Sequence, residues 1–197
     1  TIAPFLLPRA LPLLKREYPE LRLKLREDQT ARLIDALRAR TLDAAVIALP
    51  YTAHGVDTAT VAEDEFLFLA PEGHPLTLRN DLSPEHLKHE DVLLLDDGHC
   101  LRDHALSVCN LAPGRGTADA GATSLHTLVQ MVAGGMGVPP LPKLAAEGGA
   151  VAGAKVVMRP FAEAVFGRSI GVAWRAGGQR EEEARALAEV LRGLFTK

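Results

Sequence analysis

The 197-residue chain has no excess of positive charge: 22 lysines and arginines stand against 25 aspartates and glutamates, a formal net charge of −3. That leaves no basic footprint, so these residues are not expected to bind nucleic acid themselves. No stretch is long and apolar enough to span a membrane, and no secretory signal opens the chain. Cysteine is scarce, with two in all, which excludes a secreted scaffold stapled by several disulfides. In the cytosol such a pair stands reduced, and a bond between the two would be transient. There are no internal repeats. The start at Thr1, without Met, reads as a piece cut from a longer protein. What is present is an ordinary globular composition, 47% hydrophobic and 24% charged, with ample material for one or two compact units.

Both cysteines fall in one stretch, Leu95-Asp96-Asp97-Gly98-His99-Cys100-Leu101-Arg102-Asp103, with Cys109 six residues further on. The apolar run Val92 to Leu95 reads as a buried strand, ended by the turn Asp96-Asp97-Gly98. Helix-compatible spacing follows from about Cys100 to Leu111, through Leu101, Ala105, Val108 and Leu111. Cys100 thus falls at a strand-to-helix junction, between His99 and Arg102. A helix N-terminus and nearby cations both favour thiolate over thiol. Against this stands the plain alternative that a buried cysteine is a small core hydrophobe.

Elsewhere, Pro4 to Tyr18 has a helical apolar pattern, yet Pro8 and Pro12 oppose a regular helix, an interior proline costing roughly 3 kcal/mol. Leu21 to Arg26 alternates leucine with arginine or lysine and reads as a half-buried strand. Thr30 to Arg40 is a short amphipathic helix with Leu33, Ile34 and Leu37 inward, and Asp43 to Leu49 a more buried strand. Tyr51 to Asp64 lacks periodicity before strand character returns at Glu65 to Ala70. His74 to His89 reads as loop plus a short helix begun around Ser83-Pro84. Pro113-Gly114-Arg115-Gly116 is a loop. Thr123-Ser124 caps a helix with Leu125, Leu128, Val129 and Val132 on one face, stopping at Gly134-Gly135. Gly148 to Gly153 is too rich in glycine for regular structure. Val156-Val157 and Arg168 to Trp174 read as strands, and Glu181 to Phe195 is the clearest helix. The alternation of strands and helices gives an α/β class with largely parallel sheets.

Gly98-His99-Cys100-Leu101-Arg102-Asp103 followed by Cys109 resembles the redox motif of the peroxide-sensing LysR-type transcriptional regulators. Thr1-Ile2-Ala3-Pro4, Glu27-Asp28-Gln29-Thr30, Leu42-Asp43-Ala44-Ala45, Ala122-Thr123-Ser124-Leu125 and the helix exit Val132 to Val138 extend the resemblance along the chain. Pro139-Pro140 and the loop Pro113 to Gly116 depart from it, away from the motif. The resemblance implies an α/β fold of two Rossmann-like subdomains of the periplasmic-binding-protein type II kind, joined by two crossover segments. Residues 1–63 with 168–197 would form one, and 64–167, with the cysteines, the other. It also implies a helix over Pro4 to Tyr18, against propensity. The family's N-terminal winged helix-turn-helix is absent from these residues.

The same resemblance implies a regulatory domain and not an enzyme. Cys100 would be the peroxidatic thiol and Cys109 the resolving one, paired in a redox disulfide. His99 and Arg102 would lower the thiol's pKa or bind peroxide, Asp103 would accept a proton or orient a side chain, and Thr1 and Thr30 would lend hydroxyls to the peroxide pocket. Implied partners are hydrogen peroxide, further copies of the chain (a homodimer, and a tetramer at full length), promoter DNA through the missing domain, RNA polymerase, and glutaredoxin or thioredoxin as reductant. The location implied is cytoplasmic, and no metal or cofactor is required.

Three other readings use the same residues. The first is an effector domain holding a small organic anion between the subdomains. The second is a thiol peroxidase with many turnovers. The third is a zinc site from His99, Cys100, His104 and Cys109, for which adjacent ligands at 99 and 100 are awkward and the usual short paired spacings are missing. His54, His74, His86 and His89 fall in polar, loop-like surroundings, and His126 lies near a helix start.

Overall fold

The computed structural model describes residues 1–97, 99–110 and 121–196. In chain order it contains α1 (Ala3–Glu17), α2 (Thr30–Arg38), β1 (Ala44–Leu49), β2 (Val56–Pro71), 3-10 turns at Pro75–Leu78 and Pro84–His89, α3 (Cys100–Val108), α4 (Leu125–Ala133), β3 (Pro140–Pro142), α5 (Lys143–Glu147), β4 (Val156–Arg175) and α6 (Glu181–Arg192). The sheet order is β1-β4-β2-β3. Packing divides the chain into two units, Thr1 with Asp64–Gly167, and Ile2–Glu63 with Arg168–Lys197. The chain crosses from one unit to the other inside β2 and returns inside β4, so neither crossing is a loop.

In the unit containing both termini, β1 pairs antiparallel with β4, from Ala44 opposite Trp174 to Leu49 opposite Ser169. The apolar stripe of α2 closes over this pair, and Leu33, Ile34 and Leu37 form one core with Ala45, Ile47, Leu49 and Ala173. Arg9 of α1 donates to the carbonyl of Leu194 at 2.5 Å and lies over the Phe195 ring, tying the first helix to the last segment. In the other unit, β2 pairs antiparallel with β3, from Phe66 opposite Pro142 to Phe68 opposite Pro140. Buried Asp64 accepts a hydrogen bond from the Leu144 amide at 3.0 Å, satisfying one of the orphan donors of the short α5.

Four expectations change. First, Pro4 to Tyr18 is helical, as the resemblance implies and propensity does not. Pro4, Pro8 and Pro12 recur every four residues and are all exposed, so the carbonyls that Pro8 and Pro12 leave without a donor lie on the wet side, while Phe5, Leu6, Ala10 and Leu14 are buried. Second, Leu21 to Arg26 has no ladder partner among the described residues, and Leu21, Leu23 and Leu25 are about half exposed. Alternation makes a strand only where another backbone offers hydrogen bonds. Third, the separate strands expected around 65–70, 156–157 and 168–174 belong to two long ones, because β2 and β4 continue through the crossings. Fourth, both pairings with a defined register are antiparallel, and among the described residues the isolated bridges Val92–Val138 and Leu95–Ala122 are parallel. The loop expected over Pro113 to Gly116 lies outside the described residues.

Candidate functional site

The run Val92 to Leu95 is buried, but it does not form a continuous ladder. Its two bridging partners come from different segments: Val138 at one end and Ala122 at the other. Leu93 donates to Val138 at 3.2 Å, Val138 to Asp91 at 2.9 Å, and Asp96 to Ala122 at 3.0 Å. Gly137 is required where the first of these contacts forms. Its φ is +146°, and a Cβ there would stand 2.2 Å from the Asp91 carbonyl oxygen.

This run delivers the chain to α3. His99 is the N-cap in an extended conformation, and its carbonyl accepts the Arg102 amide at 2.9 Å. Its own side chain makes no capping bond. Cys100 is therefore the first helical residue, at the end where backbone donors point outward. It is partly exposed, whereas Cys109, the C-cap residue, has no exposed surface. Both are thiols. Burial, together with the charge of Glu85, pushes the Cys109 thiol up from 9.0 to about 11. As placed, it is protonated at neutral pH and shielded from attack. Leu101 and Ala105 bury the same side of α3. The expected helix thus starts where the spacing put it and ends at Val108; Gly98 of the turn and Leu111 lie outside the described residues.

The Arg102 guanidinium is not aimed freely at solvent. Nη1 donates to the Leu95 carbonyl at 3.1 Å, and Nε stands 2.9 Å from Oδ1 of Asp97. Asp103 lies exposed in the first turn, where a negative charge suits the helix dipole. Thr1 packs in the same unit as the cysteines, while Thr30 opens α2 in the other. Ser124, not Thr123, caps α4, its hydroxyl oxygen accepting the Thr127 amide at 3.2 Å. Among the described residues, no group of three or more His, Cys, Asp or Glu side chains is arranged to hold a metal ion, and no helix is long and apolar enough to cross a membrane.

Sequence reasoning missed the Arg102–Asp97 contact and the charge of Glu85 acting on Cys109. Asp97 precedes Arg102 by five residues across a turn, a spacing that carries no periodic signal. Glu85 comes from a 3-10 turn 24 positions before Cys109.

Residues 1–196 match the model of the LysR substrate binding domain. The chain belongs to this family. Within it, several relatives with similar sequences are named as peroxide-response regulators: a probable hydrogen peroxide-inducible genes activator of Streptomyces viridosporus is 39% identical over 98% of this chain and 64% of its own length. The dual regulator OxyR of Escherichia coli is 34% identical over 98% of this chain and 63% of its own. Among solved structures, a sulfate-bound OxyR2 mutant regulatory domain from Vibrio vulnificus shares 37% identity with a TM-score of 0.88, covering 98% of this chain and 92% of that one. An H2O2-bound Cys-to-Ser mutant of Corynebacterium glutamicum OxyR shares 33% with a TM-score of 0.90, covering 99% and 62%. The chain spans just under two thirds of the curated relatives' length.

Proposed function

We propose that this chain is the redox-sensing regulatory domain of an OxyR-type LysR regulator. The single observation that carries this is the placement of the two thiols on α3: Cys100 partly exposed at its N-terminus and Cys109 buried at its C-cap. Peroxide meets Cys100 first. Its sulfur attacks one peroxide oxygen, an S–O bond forms as the O–O bond breaks, and the other oxygen leaves as water, giving a sulfenic acid. The Cys109 sulfur then displaces that oxygen as a second water, leaving a disulfide. In this reading His99 and Arg102 hold the peroxide, and Asp103 takes a proton or orients a side chain. Thr1 and Thr30 are assigned to the peroxide pocket by family resemblance alone.

The second step requires a rearrangement. Along a helix, nine residues rise about 13.5 Å, at about 1.5 Å each. A disulfide needs Cα atoms roughly 4.4–6.8 Å apart. The segment must therefore unwind or relocate, carrying Leu101 and Ala105 out of their packed positions. In this reading the altered segment changes association between copies, a homodimer here and a tetramer at full length. That change alters DNA binding by a winged helix-turn-helix outside these residues. RNA polymerase would read the result in the cytoplasm, and glutaredoxin or thioredoxin would reset the thiols.

Thiol counting with peptide mapping, before and after one equivalent of peroxide, tests the assignment. One peroxide should consume two thiols and join Cys100 to Cys109. Cys100→Ser should abolish consumption, whereas Cys109→Ser should react and accumulate sulfenic or over-oxidised forms. Equal reactivity in wild type and Cys100→Ser would sink the reading. Many turnovers with a thioredoxin system would instead make the protein a peroxidase.

A further inference from the structure

We infer that Asp97 is a positioning residue for the thiol chemistry, acting through Arg102 to hold the first turn of α3 in its helical, reduced arrangement. The inference rests on the redox reading above. Cys100 and Arg102 share that first turn, so unwinding it to bring the cysteines together must move both. The Arg102 side chain reaches back toward the helix start, as long helical side chains do. It is held there twice, by the Leu95 carbonyl at 3.1 Å and the Asp97 carboxylate at 2.9 Å.

Leu95 is a firm anchor. It is 2% exposed and bridges to Ala122, whose carbonyl also accepts the Asp96 amide. Asp97, in contrast, is 94% exposed at its side chain, and Arg102 is 25% exposed. The clamp therefore has one fixed jaw in the buried run and one soft jaw at the surface. Opening the soft jaw leaves the fold intact but lets the helix start come away. An exposed pair of this kind contributes little to global stability and is screened by salt. Its effect should appear in the rate of closure between the cysteines and not in the stability of the whole domain.

The rate of closure can be read without peroxide. Cys100, being accessible, is converted to its mixed disulfide with thionitrobenzoate, and closure occurs when the Cys109 sulfur attacks the Cys100 sulfur and expels the coloured thiolate. Asp97→Asn should release thionitrobenzoate about two- to fivefold faster than wild type, the range an exposed ion pair supports. Raising ionic strength should speed release in wild type and leave Asp97→Asn unmoved. Asp97→Glu should restore the slow, salt-sensitive rate. Equal release in wild type and Asp97→Asn would overturn the inference. So would a faster rate in Asp97→Asn that keeps the wild-type salt response, or one that merely follows a fallen urea midpoint. Should peroxide fail to oxidise Cys100, the sensor reading falls while the thionitrobenzoate release still decides the role of Asp97.

Discussion

Cys109 combines a nucleophile's chemistry with a core residue's surroundings. Burial makes its thiolate more costly in the fold than in the unfolded chain, so the unfolded chain loses this proton first, near pH 9. The group's contribution to stability is fully present below that and is lost as pH rises toward about 11, the unfolded state then binding fewer protons than the native one. Two pH units correspond to about 3 kcal/mol at full effect. Urea titrations should show wild type losing roughly 2 kcal/mol between pH 9 and pH 11 relative to Cys109→Ala. Parallel pH profiles for the two proteins would contradict this. At Gly137 the demand is steric. Gly137→Ala places a methyl against the Asp91 carbonyl in a backbone region that L-residues avoid. The expected cost is about 2–4 kcal/mol in urea unfolding, more than strained backbone alone brings.

At the scale of elements, the helices with clean apolar faces were legible from spacing. α4 buries Leu125, Leu128, Val129 and Val132, the four residues its pattern singles out, and α2 buries Leu33, Ile34 and Leu37 as expected. α1 was not legible from propensity, because the cost of a proline depends on which face loses its donor, and propensity scales average over faces. The alternation at 21–26 misled for a related reason: it reports side chains and says nothing about a pairing partner. The junction before α3 was legible as a place, since a buried run, a turn and a helical pattern meet there. The Arg102–Asp97 contact was not, because a side chain folded back across a turn leaves no periodic trace. If α3 has two arrangements, oxidation should release it. Amide exchange in the disulfide form is expected to lose the protection of the Arg102 and Cys109 amides, which donate to His99 and Ala105 here. Unchanged protection across 99–110 would refute a switch in this helix.

For the whole molecule, composition and charge bounded the class, while the division into units depends on two strands whose continuity the sequence conceals. The first half of β2 is largely exposed and carries no alternating pattern, so its extension past Asp64 could not be read locally. In the proposed reading, a thiol reaction reaches DNA through association between copies. The domain is therefore expected to be a homodimer, with light scattering giving twice the 21.1 kDa of the chain. Monomer alone at high micromolar concentration, in both redox states, would count against it. Exposed Leu21, Leu23 and Leu25 offer apolar surface of the kind that is usually covered in an assembly.

The crossings also have a genetic consequence. At the point where the chain leaves the terminal unit, the Ser169 hydroxyl donates to both carboxylate oxygens of Glu63 at 2.8 Å, so the exit and the return lie side by side. In the other unit, Gly167 backs directly onto the ring of Phe66, where a Cβ would come within 1.9 Å of a ring carbon. Each unit therefore holds its two cut ends together. In modular terms, residues 64–167, the unit that Thr1 also joins, are a cassette inserted into a host whose halves already meet. A gene joining Glu63 to Arg168 through a tight turn encodes the host without its cassette, and the cassette alone is a single reading frame carrying both cysteines.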